Sequence, residues 1–133
     1  MRRAALLVLI LPLTGCGLDI QSADLFVLTR TGQGHKLTLL VSDGGTITCN
    51  GGKQRTLPDR LLLQARDLVN SLSSDARAHL NIPPRPGSVF HYTIRLQAGT
   101  VSFPDTAAER HPTLAQAELF ALQSAHQACG LTG

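Results

Sequence analysis

The sequence predicts an α+β fold, an antiparallel sheet of about five strands with two helices packed on one face, in the order βββαββα. Three observations lead there. Short β-rich runs divided by glycine-containing turns fill residues 25 to 49, a helical apolar period fills 61 to 72, and strict alternation from Val89 precedes a second helical stretch. A chain of 133 residues, 43% hydrophobic and 16% charged, suits one compact domain with little room for another.

Leu25 to Arg30 is rich in β-formers and ends at Thr31-Gly32-Gln33-Gly34, whose glycines permit a tight turn. Lys36 to Ser42 returns as the second strand of a hairpin. Asp43-Gly44-Gly45 turns the chain again, and Thr46 to Cys49 follows as a short third strand ended by Asn50-Gly51-Gly52. Close turns between consecutive strands favour antiparallel pairing. Leu61, Leu62, Ala65, Leu68, Val69 and Leu72 then recur at helical spacing, with Pro58 and Asp59 suited to the first turn. Ser73-Ser74-Asp75 is expected to stop this helix or to cap a short second piece from Ala76 to Leu80. Three prolines between Asn81 and Gly87 make a stiff exposed connection.

Phe90, Tyr92, Ile94 and Leu96 alternate with His91, Thr93, Arg95 and Gln97, which predicts a strand with one dry and one wet face. Thr100 to Phe103 pairs back after the Ala98-Gly99 turn. The closing helix is expected from an N-cap at Thr113 to Cys129, with Gly130 as its stop. Its inward face holds Leu114, Ala117, Ala121, Leu122, Ala125, Ala128 and Cys129; Phe120 falls off that face and either widens the core or leaves an exposed contact.

The start of the chain indicates its destination. Arg2 and Arg3 precede a ten-residue stretch, Ala4 to Leu13, that is apolar except for Pro12. It is too short to span a hydrocarbon core about 30 Å thick and has the form of a secretion signal. Leu13-Thr14-Gly15-Cys16 resembles the bacterial lipobox, which implies cleavage before Cys16 and attachment of diacylglycerol and palmitate-type acyl chains to it. The alternative is an ordinary secretory signal with a chance cysteine. The organisation expected is a signal peptide over 1–15, a lipidated tether over 16–23 and one domain over 24–133. The domain then faces outside the cytoplasm of a bacterial cell, held at the cell membrane by its acyl chains.

With Cys16 used for lipid, Cys49 and Cys129 remain, and in an exported chain the simplest outcome is one disulfide across 80 positions. A metal reading adds His126, three positions before Cys129, but lacks a fourth ligand and paired Cys-x-x-Cys spacing. The disulfide is the better expectation, with no metal and no cofactor.

Charge and motif content narrow the chemistry. Twelve Lys and Arg oppose nine Asp and Glu, but removing Arg2 and Arg3 with the signal leaves ten against nine. Such balance gives no whole-chain argument for nucleic acid. Aromatics at 4%, with no Trp, argue against a platform for stacking sugars or bases. Five histidines and several Ser and Asp residues are present, but no Gly-x-Ser-x-Gly, His-Glu-x-x-His or phosphate-cradling loop arranges them. The candidate binding residues are Lys53 and Arg55, in a basic loop, and His91 with Arg95 on the wet side of their strand. For the loop the ordinary reading is a solvated turn, since membrane attraction by charge alone takes about four or more cations; for His91 and Arg95 it is a solvated sheet face.

Asp24 to Thr31, Gly34 to Thr46, Thr48-Cys49-Asn50-Gly51-Gly52, Tyr92-Thr93-Ile94-Arg95, Gly99 to Asp105 and the closing Ala128-Cys129-Gly130-Leu131 together resemble a group of actinobacterial lipoproteins. That resemblance spans nearly all of the chain after the signal and implies the disulfide and the location; the group brings no reaction with it. The order of elements is also similar to emfourin-type inhibitors of thermolysin-like metalloproteases, a likeness of pattern that carries no inhibitory residue onto this chain. The function expected is therefore a non-enzymatic binding or inhibitory domain with an envelope protein as partner. The alternative is a small envelope hydrolase whose residues converge only in the fold.

Overall fold

The computed structural model describes residues 24 to 132. The expected signal, the tether and Cys16 lie outside the described residues. The strands are β1 (Asp24–Gly32), β2 (His35–Ser42), β3 (Thr46–Cys49), β4 (Gln54–Thr56), β5 (His91–Leu96) and β6 (Gly99–Pro104). The helices are α1 (Asp59–Arg77) and α2 (Pro112–Gln127), the latter preceded by a 3₁₀ turn over Asp105–Glu109. All six strands form one antiparallel sheet in the order β4-β3-β2-β1-β5-β6. The class is α+β.

The alternation in β1, β2 and β5 decides which side is covered. Phe26, Leu28, Leu37, Leu39, Val41, Ile94 and Leu96 are buried on one side, where Leu61, Ala65, Leu68, Leu72 and Ala76 of α1 and Leu114, Ala117, Phe120 and Ala121 of α2 meet them. The register of β5 is the one the alternation predicts, with Tyr92 and Ile94 buried and Arg95 exposed. The helices run antiparallel, and Arg60 at the start of α1 donates from Nη2 to Oε1 of Gln127 at the end of α2 (3.0 Å).

Four details differ from expectation. β4 is a sixth strand within the stretch expected to be a basic loop; three exposed residues offer no alternation by which to recognise it. α1 runs through Ser73-Ser74-Asp75 without a break, because Ser73 returns its hydroxyl to the carbonyl of Val69 and Ala76 continues the buried row. α2 is entered from His111 in extended conformation, with Pro112 rather than Thr113 at its start. Phe120 is buried, its ring edge-on to Phe26 with centroids 5.5 Å apart, and this rotation turns Leu122 out to 52% exposure.

Two features fasten the layers. Gly99, at the end of the two-residue turn of the β5–β6 hairpin, lies so close to the carbonyl of Ala76 that a Cβ there would collide with it. Cys49 at the end of β3 and Cys129 just past α2 are bonded, with Cα atoms 5.9 Å apart, within the usual disulfide range. The bond ties the sheet to the end of the closing helix. Replacing both cysteines by Ala is expected to cost about 2 to 5 kcal/mol of stability, measured by urea unfolding, with the circular dichroism of the folded state unchanged. An unaltered midpoint would show that helix packing alone holds that corner.

Candidate functional site

Both helices lie on the same side, so no helix or strand among the described residues covers the other face of the sheet. Antiparallel register places Thr38 of β2, Thr29 of β1, Thr93 of β5 and Ser102 of β6 in one row across four adjacent strands. At about 4.8 Å between strands this hydroxyl row is about 14 Å long. Oγ1 of Thr93 and Oγ of Ser102 are hydrogen-bonded at 2.9 Å, and the Thr38 amide donates to Oδ1 of Asn50 (2.8 Å). Lys36, Thr31 and His91 form the row on one side; Leu40, Val27, Arg95 and Thr100 form the row on the other. Threonine is at home here because a β-branched side chain packs well on a pleated, half-covered surface.

His91 and Arg95 therefore share this open face, as the alternation predicts. Thr93 stands between them, and four residue steps along the strand separate the two by about 13 Å. Nδ1 of His91 is buried and has no hydrogen-bond partner among the described residues. Lys53 and Arg55 sit at the far edge, beside and within β4; Arg55 pairs with Ile47, whose side chain belongs to the helix side. The four candidate residues thus do not form one cluster. Among the described residues the one salt bridge joins Arg66 to Asp43 (2.7 Å), so Lys36 and Arg95 have no carboxylate partner there.

A second polar group lies under the sheet, between β1, β5 and α2. Arg30 points to the helix side, its guanidinium 4.8 Å from the centre of the Phe90 ring, and Tyr92 is its register partner on β5. The Tyr92 ring stacks on Phe103 at 5.2 Å. Burial, and then the nearby Glu118 carboxylate, push the Tyr92 phenol above its ordinary value, partly offset by Arg30. Burial foremost, and then Asp105, raise the Glu118 carboxyl to about 7. Oε1 of Glu118 is buried without a hydrogen-bond partner among the described residues. Asp105 is engaged structurally, accepting from the amides of Val89, Phe90 and Thr106 at 3.0 to 3.2 Å. Sequence reading missed Glu118, although a signal existed: it lies four residues after Leu114, on the inward face of α2.

Of the concavities open to solvent, two lie beside these groups. One, of about 270 Å³, runs between the helices past Gln64, Asp67, Gln116 and Leu119. The other, of about 360 Å³, lies at the end of the sheet beside Arg30, Lys36, Asn50 and Phe90. Among the described residues no three of His, Cys, Asp and Glu gather as metal ligands, and no helix is long and apolar enough to cross a membrane. No family model, curated protein or solved structure matches the chain.

Glu118 makes stability depend on pH. Its folded value lies above its ordinary value near 4.5, so between about 4.5 and 7 the folded state keeps a proton that the unfolded state has released. Stability therefore falls as pH rises through that window. The group is only partly shielded from solvent, so the loss is about 1 to 2 kcal/mol rather than the full shift. Urea unfolding at pH 5 and pH 8 should show that decline in the wild type and a flatter profile in Glu118→Gln. Parallel profiles would place the carboxyl in an ordinary, solvated environment.

Proposed function

We propose that this chain is a lipid-anchored protein of the bacterial cell envelope whose α+β domain is a non-catalytic binding module, working through the open face of its sheet. One observation carries the reading: among the described residues a face of hydroxyls, with cations that have no carboxylate partner, is left uncovered, while the opposite face is filled by two helices and braced by the disulfide. The start of the chain adds the location, since Leu13-Thr14-Gly15-Cys16 resembles a lipobox and two or more acyl chains hold a protein stably at a membrane. Inhibition of an envelope or secreted protease is one form such binding takes, and the emfourin-like order of elements supports it.

A hydrolase has one specific observation in its favour. Glu118 titrates near 7 beside the Tyr92 phenol, which is the range in which a carboxyl serves as general acid or base.

Mass spectrometry of the protein isolated from membranes is expected to show an acylated Cys16 at the N-terminus, and Cys16→Ser is expected to release the chain from the membrane fraction. An unmodified protein starting at another residue would contradict the anchoring. Turnover in a hydrolase screen that is lost on Glu118→Gln would overturn the binding reading and favour the enzyme.

A further inference from the structure

We infer that the open face of the sheet is the surface by which the domain lies against the anionic lipid membrane to which Cys16 tethers it. This rests on the anchoring proposed above and names what the face meets. Three observations support it.

The first is how charge is divided between the layers. Between residues 24 and 132 there are ten Lys and Arg and eight Asp and Glu, close to balance. Six of the eight carboxylates, Asp59, Asp67, Asp75, Asp105, Glu109 and Glu118, lie on α1, the 3₁₀ turn and α2. Asp43 is in a turn and paired to Arg66, and Asp24, at the first residue of β1, is the only carboxylate carried by any strand. The open face bears Lys36 and Arg95, both exposed. The helix side also carries Arg60, Arg66 and Arg77 on α1, Arg110 after the 3₁₀ turn, and Arg30 and Arg55 from the strands, so it is close to neutral. An anionic surface therefore attracts the open face with its two cations more strongly than the helix side.

The second is the length of the tether. Seven residues, 17 to 23, separate Cys16 from β1, and the eight steps from Cys16 to Asp24, fully extended, reach at most about 29 Å. Acyl anchoring thus confines the domain to the membrane surface, where a few cations that would not recruit a soluble protein suffice to choose its orientation.

The third is the chemistry of the face itself. It has hydroxyls to meet phosphate and glycerol oxygens and, among the described residues, no Phe, Tyr or Trp on which a sugar would stack, which favours lipid headgroups over a neutral glycan.

Lys36 and Lys53 are the chain's only lysines, so the docking can be read by amine acetylation and mass spectrometry. The full lipidated protein is reconstituted on vesicles of phosphatidylcholine alone or with about 30% phosphatidylglycerol. Acetylation of Lys36 is expected to be at least about threefold slower on the anionic vesicles, with the difference removed by about 0.5 M salt or by Arg95→Glu and retained by Arg95→Lys. Protein that floats with both kinds of vesicle, with Lys36 equally reactive on each, would overturn the docking and leave the anchoring intact. Protein that floats with neither would overturn the anchoring, and the docking with it. Two other results would also overturn the docking by naming another occupant. Slowing by a soluble anionic polysaccharide, but not by anionic vesicles, would identify a polymer; slowing on neutral vesicles that grows with protein density would identify a second copy.

Discussion

β-strands show alternate residues to opposite sides, and this domain has helices enough for only one of them. α1 and α2 both pack against Phe26, Leu28, Leu39, Ile94 and their neighbours, so every second position on the central strands is committed to the core and the rest to the outside. The location of the disulfide, the close approach of Gly99 to α1, the burial of Glu118 and the row of hydroxyls on the far side all follow from that one-sidedness. A slip of one residue in any central strand would bring threonine into the core and leucine out of it. The pairing is held against such a slip by the bond from Cys49 to Cys129, which fixes the end of β3 relative to α2.

One-sided burial also sorts the charges. Most of the carboxylates lie on the helix layer in company with Arg60, Arg66 and Arg77, whereas the open side of the strands carries hydroxyls with Lys36 and Arg95. Within the core layer the exception is Glu118, held near neutral pH by burial and by Asp105 and placed next to a tyrosine whose own proton is harder to remove. That pair gives the packed side a response to pH.

Much of this was legible in residue order. The alternation of β5, the helical period of α1 and the pairing of the two cysteines are local or arithmetic signals, and each corresponds to an element of the fold. β4 was illegible because three exposed residues have no period to detect, and the outward turn of Leu122 depends on Phe120 finding Phe26, a contact between the two ends of the domain. The site was legible residue by residue but not as a surface. Lys36 and Arg95 are far apart in sequence and share a face only because β5 pairs with β1 instead of β4. Strand order is a non-local property, so the near-neutral composition concealed a face without paired charge.

Accessibility of the two faces in isolated cell envelopes, where the proposed acyl anchor would hold the chain, is the most direct measurement. Thr31→Cys places a thiol on the open face between Lys36 and His91, and Gln116→Cys places one on the outer side of α2. Labelling with a bulky maleimide should be slow at position 31 in intact envelopes and fast after detergent extraction, while position 116 reacts alike in both. Equal reactivity of position 31 before and after extraction would show that the open face meets nothing where the protein resides.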